Sequence, residues 1–329
     1  MILVALAIPA AAAHKFVSFD VPSAILTYAT AINAGGEVAG TYLGQDSLYH
    51  GFIREVNGTI TTFDVSNDTL SMSVVGINSS GQIVGYYYDD GTFTFIREVD
   101  GTITLVAVPY SGATDTTIVG INDSGEVCGW YSIGWPDTVD HGFVRNASGG
   151  FTTLQGSTST ITQAINDSGE TTGNIVETKL VYGFVEDQHG KTTEFLPSGA
   201  TTTFPMAINT GGQVAGNYLD SSGIEYGFLR DSNGTISTFS APGAGTGTFD
   251  GTYPLALNDG GQAVGYMILN SGAYQAFVRD TAGAITAFNA PKAGTAGYTG
   301  TQAISINASG TITGYYFDAS GVAHGFLRF

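Results

Sequence analysis

The chain has 329 residues, 43% of them hydrophobic, which is enough to bury a sizeable core as one large domain or as two ordinary ones. Its 47 glycines and many short segments rich in Thr and Ser favour short strands joined by tight turns and argue against long helices. The net charge of −18 makes nucleic acid an unfavourable partner, because phosphates repel an acidic surface.

The N-terminal segment, residues 1–13, is an apolar run that ends in alanines, as a secretory signal does before its cleavage site. No basic residue precedes the run, so the true start of the signal stays open. The run is shorter than the roughly 20 residues of a membrane span. We therefore predict a partial secretory signal at residues 1–13, a single domain at residues 14–329, an extracellular location and no stable membrane span.

A pair made of Ile or Leu followed by Asn recurs along the chain at intervals of 43 to 49 residues. A period of this length is typical of repeat proteins, in which each unit buries its apolar faces against its neighbours. The Asn residues of these pairs are Asn33, Asn78, Asn122, Asn166, Asn209, Asn258 and Asn307.

One unit, residues 27–65, contains four segments of strand character, which we name A to D and predict at residues 27–33, 37–43, 48–56 and 59–65. An Asn-x-x-Gly turn joins A to B, and Asn57-Gly58, a strong hairpin signal, joins C to D. Strand C carries His-Gly-Phe followed by an aliphatic residue and Arg. Because Phe and the aliphatic residue point to opposite faces, strand C is predicted to be buried on both sides.

Four short strands per unit, repeated seven times, predict an all-β fold: a seven-bladed β-propeller with four antiparallel strands per blade. The seventh unit stops at Phe329, after its strand C, whereas the segment Lys15–Val21 has the sequence of a strand D. We expect this N-terminal strand to complete the last blade and to close the ring. An open solenoid of the same repeats is the alternative, but it gives no reason for the displaced strand.

Strand A is expected to line a central channel, where the blades crowd together. Small residues stand two positions before each Asn, and Thr or Met stands six positions before it, in the same strand alternation. The channel is therefore predicted to be tapered, uncharged and rimmed by hydroxyl groups. The residues six positions before Asn are Thr27, Met72, Thr116, Thr160, Thr203, Thr252 and Thr301.

Two further residue types fit structural roles. Cys128 stands where other units have Ala, Val or Thr, which predicts a small buried side chain with no disulfide role. Most of the basic residues are arginines at one repeat position, which also indicates a structural role. They are Arg54, Arg97, Arg145, Arg230, Arg279 and Arg328.

The connections between strands differ between the two faces of such a propeller. Those from D to A and from B to C vary in length and content and form what we call the loop-rich face; the A-to-B and C-to-D turns form a uniform face. Because binding residues are concentrated on variable loops, a ligand site is expected on the loop-rich face. The alternative is that the loop aromatic rings cover their own blades. The candidate binding residues are Tyr110, Trp135, Asp137, Asp250, Tyr253 and Tyr298.

The acidic residues leave catalysis open. A glycosidase needs two carboxylates held across one bond, but solvation of an acidic protein also explains the acidic side chains of this face. Its carboxylates include Asp89, Asp137, Asp140 and Asp250.

Metal and cofactor chemistry has weak support in the sequence. His50, His141 and His324 share a strand position with Tyr, Phe and Gln in other units, which indicates packing rather than metal ligation. Asn122, Asn166 and Asp89 offer oxygen ligands for Ca²⁺, yet no run matches the spaced acidic loop of known calcium motifs. We assign no catalytic residue, no metal ligand and no cofactor.

The His-Gly-Phe signature, coupled to Ile-Asn-x-x-Gly-x-x-x-Gly-x-Tyr, resembles the bacterial HAF-type extracellular repeat proteins. The resemblance extends over residues 15–329, although four of the seven units lack His in strand C. It implies export and a propeller-like ring, and it supplies no catalytic residues.

These patterns predict a secreted, non-enzymatic β-propeller that acts as a binding or scaffold protein and recognises carbohydrate or protein through its loop-rich face. Its expected partners are an extracellular glycan or an envelope protein. One alternative is an extracellular polysaccharide lyase or glycoside hydrolase that uses carboxylates of the loop-rich face. Another is a subunit of an extracellular assembly formed by self-association.

Overall fold

The computed structural model describes residues 14–65, 71–89, 91–134, 139–154 and 158–329. All regular elements in these ranges are β-strands, which confirms the all-β prediction. No helix in the same ranges is long and apolar enough to cross a bilayer. The predicted secretory signal at residues 1–13 lies outside the described residues.

The strands form antiparallel sets of four, which we call blades one to seven. Blade one consists of β2 (Leu26–Ile32), β3 (Val38–Leu43), β4 (Tyr49–Arg54) and β5 (Ile60–Phe63). Blade two consists of β6 (Met72–Ile77), β7 (Ile83–Tyr88), β8 (Thr92–Arg97) and β9 (Ile103–Val106). Blade three consists of β10 (Ala113–Ile121), β11 (Val127–Ile133), β12 (Val139–Arg145) and β13 (Phe151–Thr153).

The later blades follow the same order. Blade four consists of β14 (Ser159–Ile165), β15 (Thr171–Val176), β16 (Val181–Glu186) and β17 (Thr192–Phe195). Blade five consists of β18 (Ala200–Ile208), β19 (Val214–Asp220), β20 (Glu225–Arg230) and β21 (Ile236–Phe239). Blade six consists of β22 (Gly251–Leu257), β23 (Ala263–Ile268), β24 (Tyr274–Arg279) and β25 (Ile285–Phe288). Blade seven consists of β26 (Gly300–Ile306), β27 (Ile312–Phe317), β28 (Ala323–Arg328) and β1 (Phe16–Phe19).

The N-terminal strand β1 pairs antiparallel with β28, from Phe16 opposite Arg328 to Phe19 opposite Gly325. It also contacts the next blade, because the guanidinium of Arg54 lies 5.0 Å from the centre of the Phe19 ring. The first strand of the chain thus lies between the last blade in sequence and blade one.

The Asn of each A-to-B turn links two blades. In blade one, the Asn33 Oδ1 accepts the Glu37 amide N–H at 2.9 Å, while its Nδ2 donates to the Asn78 carbonyl oxygen at 3.2 Å. The other six Asn side chains make the same link to the following unit, and the Nδ2 of Asn307 donates to the carbonyl oxygen of Asn33 at 3.2 Å. These hydrogen bonds form a closed cycle of buried amides whose polar groups are satisfied.

Apolar contacts between blades centre on the Phe of strand C. Phe52 is fully buried and packs edge-on against Phe19 at 6.1 Å, and Phe95 packs in the same way against Phe63 at 6.3 Å. The repeated arginine covers the outer ring of the pair, as Arg97 does over Phe63 at 5.0 Å. Cation–π contacts of this kind fit the predicted structural role of the arginines.

A β-bulge interrupts the first strand of every blade. In blade one, Ala29 and Ala31 pair with adjacent residues of β3, so Thr30 is the extra residue. Side chains before and after the bulge therefore face opposite sides of the sheet. The prediction that the side chains of Thr27 and Ala31 face the same side of the sheet is therefore wrong.

The predicted hydroxyl rim of the channel is wrong as well. Thr27 is fully buried, and its Oγ1 accepts a hydrogen bond from the Val21 amide N–H at 3.1 Å; Thr252 and Thr301 bind backbone N–H groups equivalently. The channel, a cavity of about 620 Å³, is lined mainly by aliphatic side chains, and all seven bulge residues contribute to the lining. The bulge residues are Thr30, Val75, Val119, Gln163, Met206, Leu255 and Ile304.

Candidate functional site

The predicted binding residues of the loop-rich face lie in different surroundings, and two of them fall outside the described residues. Tyr110, between β9 and β10, stacks on Tyr131 of blade three, with ring centres 5.0 Å apart and planes 19° apart, so the protein itself covers one face of its ring. Trp135 and Asp137 lie outside the described residues.

Asp250 and Tyr298 lie in the loops that precede blades six and seven, whereas Tyr253, predicted in such a loop, lies in strand β22. Asp250 accepts a hydrogen bond from the Gly247 amide N–H at 3.2 Å, which ties it to its own loop. Tyr298 is 81% exposed. Tyr253 stacks on Tyr266 at 5.1 Å and belongs to a larger aromatic cluster.

This cluster, which we call the aromatic arc, runs from blade six through blade seven to blade one. Neighbouring ring centres are 4.9 to 6.4 Å apart, and the shortest contact is the edge-on pair Tyr28 and Tyr315. Edge-on and offset arrangements are the favoured geometries of aromatic pairs. In order, the arc consists of Tyr253, Tyr266, Tyr274, Phe317, Tyr315, Tyr28 and Tyr49.

The end of the arc borders a pocket of about 710 Å³ between blades one and two. Tyr28 and Tyr49 line it from blade one, and Tyr86 and Tyr88 line it from blade two. Tyr86 and Tyr88 meet at 80°, with ring centres 5.7 Å apart. The volume falls within the range of ligand pockets, roughly 300–1,000 Å³.

Thr41 explains why a pocket forms between these two blades. The residue after the repeated Gly of strand B is Tyr or Trp in four other blades, but Thr41 in blade one. The shorter side chain lies beside Val74, whose amide N–H donates to the Thr41 Oγ1 at 2.9 Å. The space that a ring would fill therefore remains open.

The phenols of Tyr266 and Tyr315 keep their protons at physiological pH. Burial raises the pKa of Tyr266 to about 12, and Tyr274 and Glu225 add to the effect. Burial, followed by neighbouring tyrosines, also raises the pKa of Tyr315, whose hydroxyl donates to the Gln302 Oε1 at 2.9 Å. The site thus offers neutral hydroxyls, which can both donate and accept hydrogen bonds.

A buried carboxyl accompanies the other end of the arc. Glu225 is 4% exposed and its Oε2 accepts a hydrogen bond from the Asn217 Nδ2 at 2.8 Å. Burial raises its pKa, which the hydrogen bond from Asn217 opposes in part. The charge of Glu225 in turn contributes to the raised pKa of Tyr253.

The histidines of strand C stack on strand B, as the packing interpretation predicts. His50 lies against Tyr42 at 5.0 Å, and His141 lies against Tyr131 at 5.2 Å. Within the described ranges, no group of three His, Cys, Asp or Glu side chains has an arrangement suited to a metal ion. His50 does contact two carboxylates: its Nδ1 lies 2.6 Å from Asp64 and its Nε2 lies 3.2 Å from Asp46.

Asn122, one of the residues considered for Ca²⁺, lies in an A-to-B turn of the uniform face. The Asn122 side chain binds backbone groups and Glu126, and the Asp123 carboxylate accepts hydrogen bonds from Ser79. These side chains therefore serve the turns and the contacts between blades.

Sequence reasoning missed Tyr28, Tyr49, Tyr315 and Glu225 because it searched the loops, whereas these residues lie on strands. A signal was present. The residue after the Gly of strand B changes from blade to blade inside an otherwise regular repeat, and such irregular positions mark the arc and the pocket.

The chain matches no family model and no curated protein sequence. Among solved structures, it is similar to a streptogramin B lyase, with a TM-score of 0.63 and 14% identity over 95% of this chain and 97% of that one. A catalytically inactive virginiamycin B lyase variant from Staphylococcus aureus, determined with quinupristin, gives 0.63 and 15% over 96% and 100%. The β-propeller domain of the Trilobed protease from Pyrococcus furiosus gives 0.62 and 9% over 93% and 94%. At such identities the likeness concerns the fold alone, and on that ground the chain has a β-propeller fold.

Proposed function

We propose that this chain is a secreted, non-enzymatic β-propeller of seven blades that recognises carbohydrate or protein through its loop-rich face. The observation that carries the proposal is that the recurrent and the variable positions of the repeat have different roles. Its recurrent residues hold the blades together, while the side chains of the loop-rich face differ between blades and include exposed rings such as Tyr298, Phe249 and Tyr88.

The proposed closure into a ring of seven blades is supported by contacts between the first and last units. β1 completes a four-stranded set with β26, β27 and β28. The hydrogen bond from Asn307 to Asn33 returns the series of Asn links to its starting point.

The proposed export is supported by residues 1–13 and by the resemblance to HAF-type extracellular proteins. Cys128 is fully buried and unpaired, and burial raises its pKa well above the usual range. A thiol of this kind reacts slowly with oxidants, so the chain needs no reducing compartment.

Binding is preferred over catalysis because two of the four carboxylates considered for catalysis, Asp140 and Asp250, have structural partners. Asp140 accepts a hydrogen bond from the Ser132 Oγ at 2.8 Å in blade three. Asp250 serves its own loop, before blade six. A glycosidase would instead need two carboxylates facing each other across one glycosidic bond.

The test compares binding of the whole chain and of surface variants to an array of glycans and to purified envelope proteins. In the test variant, Phe249→Asn and Tyr298→Ser remove exposed rings from the loop-rich face; Asn suits the positive φ of 62° at Phe249. The matched control, Val56→Ser with Val99→Ser, removes exposed apolar groups from the uniform face. We expect the test variant to lose binding and the control to keep it. Equal binding by both variants would contradict the proposal.

A further inference from the structure

The pocket between blades one and two is lined by tyrosines and by other uncharged side chains. Its aromatic side chains carry hydroxyl groups, and they approach from three blades: Tyr28 and Tyr49, Tyr86 and Tyr88, and Tyr315. Apolar side chains, Met72 among them, contribute further surface. The described residues that line the pocket are uncharged.

We propose that this pocket binds one ring of a neutral oligosaccharide. The inference rests on the proposed function and assigns the sugar ring to strand-borne tyrosines rather than to loops. A pyranose presents C–H groups on its faces and hydroxyls at its edge, which match the faces of tyrosine rings and their hydroxyl groups. The nearly perpendicular planes of Tyr86 and Tyr88 offer one ring face and one ring edge to such a ligand.

Charge favours a neutral sugar over an acidic one. The protein has a net charge of −18, and the arginines that could pair with a uronate are stacked on Phe rings between blades. An acidic sugar would enter the pocket against this field with no cation to meet it.

The blade contacts beneath the pocket fix its shape. Val74 of blade two donates its amide N–H to the Thr41 Oγ1 at 2.9 Å and accepts a hydrogen bond from the Thr30 Oγ1 at 2.8 Å. Both hydroxyls belong to blade one, so the two blades are held in register at the pocket. A preformed cavity of this kind binds with little loss of conformational freedom.

The experiment measures binding of cellohexaose, laminarihexaose, maltohexaose and xylohexaose by calorimetry and by tyrosine fluorescence. Hexagalacturonate is the acidic probe, and 1-naphthol is an uncharged aromatic probe. Thr41→Trp fills the pocket with a ring found at the same position in blade three. Tyr88→Ala removes a half-exposed wall and leaves the buried contacts in place. Val99→Ser, at an exposed position of the uniform face outside the pocket lining, is the control.

We expect at least one neutral hexasaccharide to bind, with quenching of tyrosine fluorescence, and Thr41→Trp and Tyr88→Ala to weaken that binding by about tenfold or more. Val99→Ser should bind as the wild type, and hexagalacturonate should bind more weakly. The proposal is overturned if no neutral hexasaccharide binds, if 1-naphthol alone binds, or if folded Thr41→Trp and Tyr88→Ala bind like the wild type.

The two proposals fail separately. Oligosaccharide binding that survives Thr41→Trp and Tyr88→Ala but is lost in Phe249→Asn with Tyr298→Ser would exclude the pocket and keep the loop-rich face as a recognition surface. Binding that is lost in Thr41→Trp and Tyr88→Ala but survives in Phe249→Asn with Tyr298→Ser would support the pocket as the binding site and exclude the loops.

Discussion

At the scale of single residues, the repeat divides positions into those that build contacts and those that vary. Gly85 belongs to the first group. A Cβ at this position would lie 2.1 Å from the Ser73 carbonyl oxygen and 2.7 Å from the Phe95 ring, so no other residue fits without movement of the bulged strand. The second Gly of the sequence signature is thus required by the bulge.

We expect Gly85→Ala to lower the free energy of unfolding by about 3 kcal/mol or more, because the new methyl group overlaps backbone atoms. The matched control is Gly190→Ala, at a position with a φ of 79° and no atom within 4 Å of the new Cβ. It should cost only about 1–2 kcal/mol of left-handed strain. Chemical unfolding of both variants measures the difference, and equal losses would contradict the role of the bulge.

His50 predicts a specific dependence of stability on pH. Burial alone would lower its pKa, but hydrogen bonds with Asp64 and Asp46 outweigh burial and raise it. A pKa raised by folding stabilises the protein fully below the unfolded value of about 6.5, and this stabilisation is lost as pH rises through the folded pKa.

The melting temperature of the wild type should therefore exceed that of His50→Gln by more at about pH 5.5 than at about pH 8.5. Asp64→Asn keeps the shape of the partner but removes its charge, and it should reduce this pH dependence. A difference in melting temperature between wild type and His50→Gln that increases with rising pH would contradict the prediction.

At the scale of elements, the strands could be predicted because side-chain alternation and Asn-Gly turns are local signals. Three of the four strands of blade one are shorter than predicted, as strand D shows: it spans Ile60–Phe63 instead of 59–65. The bulge could not be predicted, because Thr30, Val75 and Gln163 share no residue type. The error in the channel prediction followed from that one missed residue per blade.

The pairing of β1 with β28 predicts the effect of a truncation. Removal of residues 15–21 exposes the edge of β28 and eliminates the contact of Arg54 with Phe19 and the hydrogen bond between Ser18 and the Tyr316 hydroxyl at 2.8 Å. We expect the melting temperature to fall by about 10 °C or more.

Removal of residues 1–13 alone is the control for this truncation and should leave the melting temperature unchanged. A synthetic peptide of residues 14–22 should restore part of the lost stability, since it can pair with the exposed edge. An unchanged melting temperature after removal of residues 15–21 would show that β1 does not hold the last blade.

At the scale of the whole molecule, the site depends on contacts that no local pattern predicts. Tyr28 and Tyr315 touch at 4.9 Å although they stand near opposite ends of the sequence. Tyr253 could be predicted as a candidate from the sequence. The arc and the pocket, in contrast, form only because residues of the first and last blades lie next to each other. This is why the sequence analysis missed the residues of the arc that lie on strands.

The excess of acidic residues predicts a salt effect on the whole protein. With a net charge of −18, the folded chain repels itself more than the expanded unfolded chain does. Raising NaCl from about 0.02 M to about 0.5 M shortens the screening length and should raise the melting temperature by a few degrees. KCl at the same ionic strength should act equally. A melting temperature that falls with NaCl would contradict this account.

The bulge in every first strand determines which residues of this protein can be substituted without a change in strand pairing. The bulge residues line the lumen, yet they have no partner in the sheet ladder. Leu255 or Met206 can therefore be exchanged for a polar residue without loss of a strand pair. The polarity of the lumen can thus change at one residue per blade while the strand pairing stays the same.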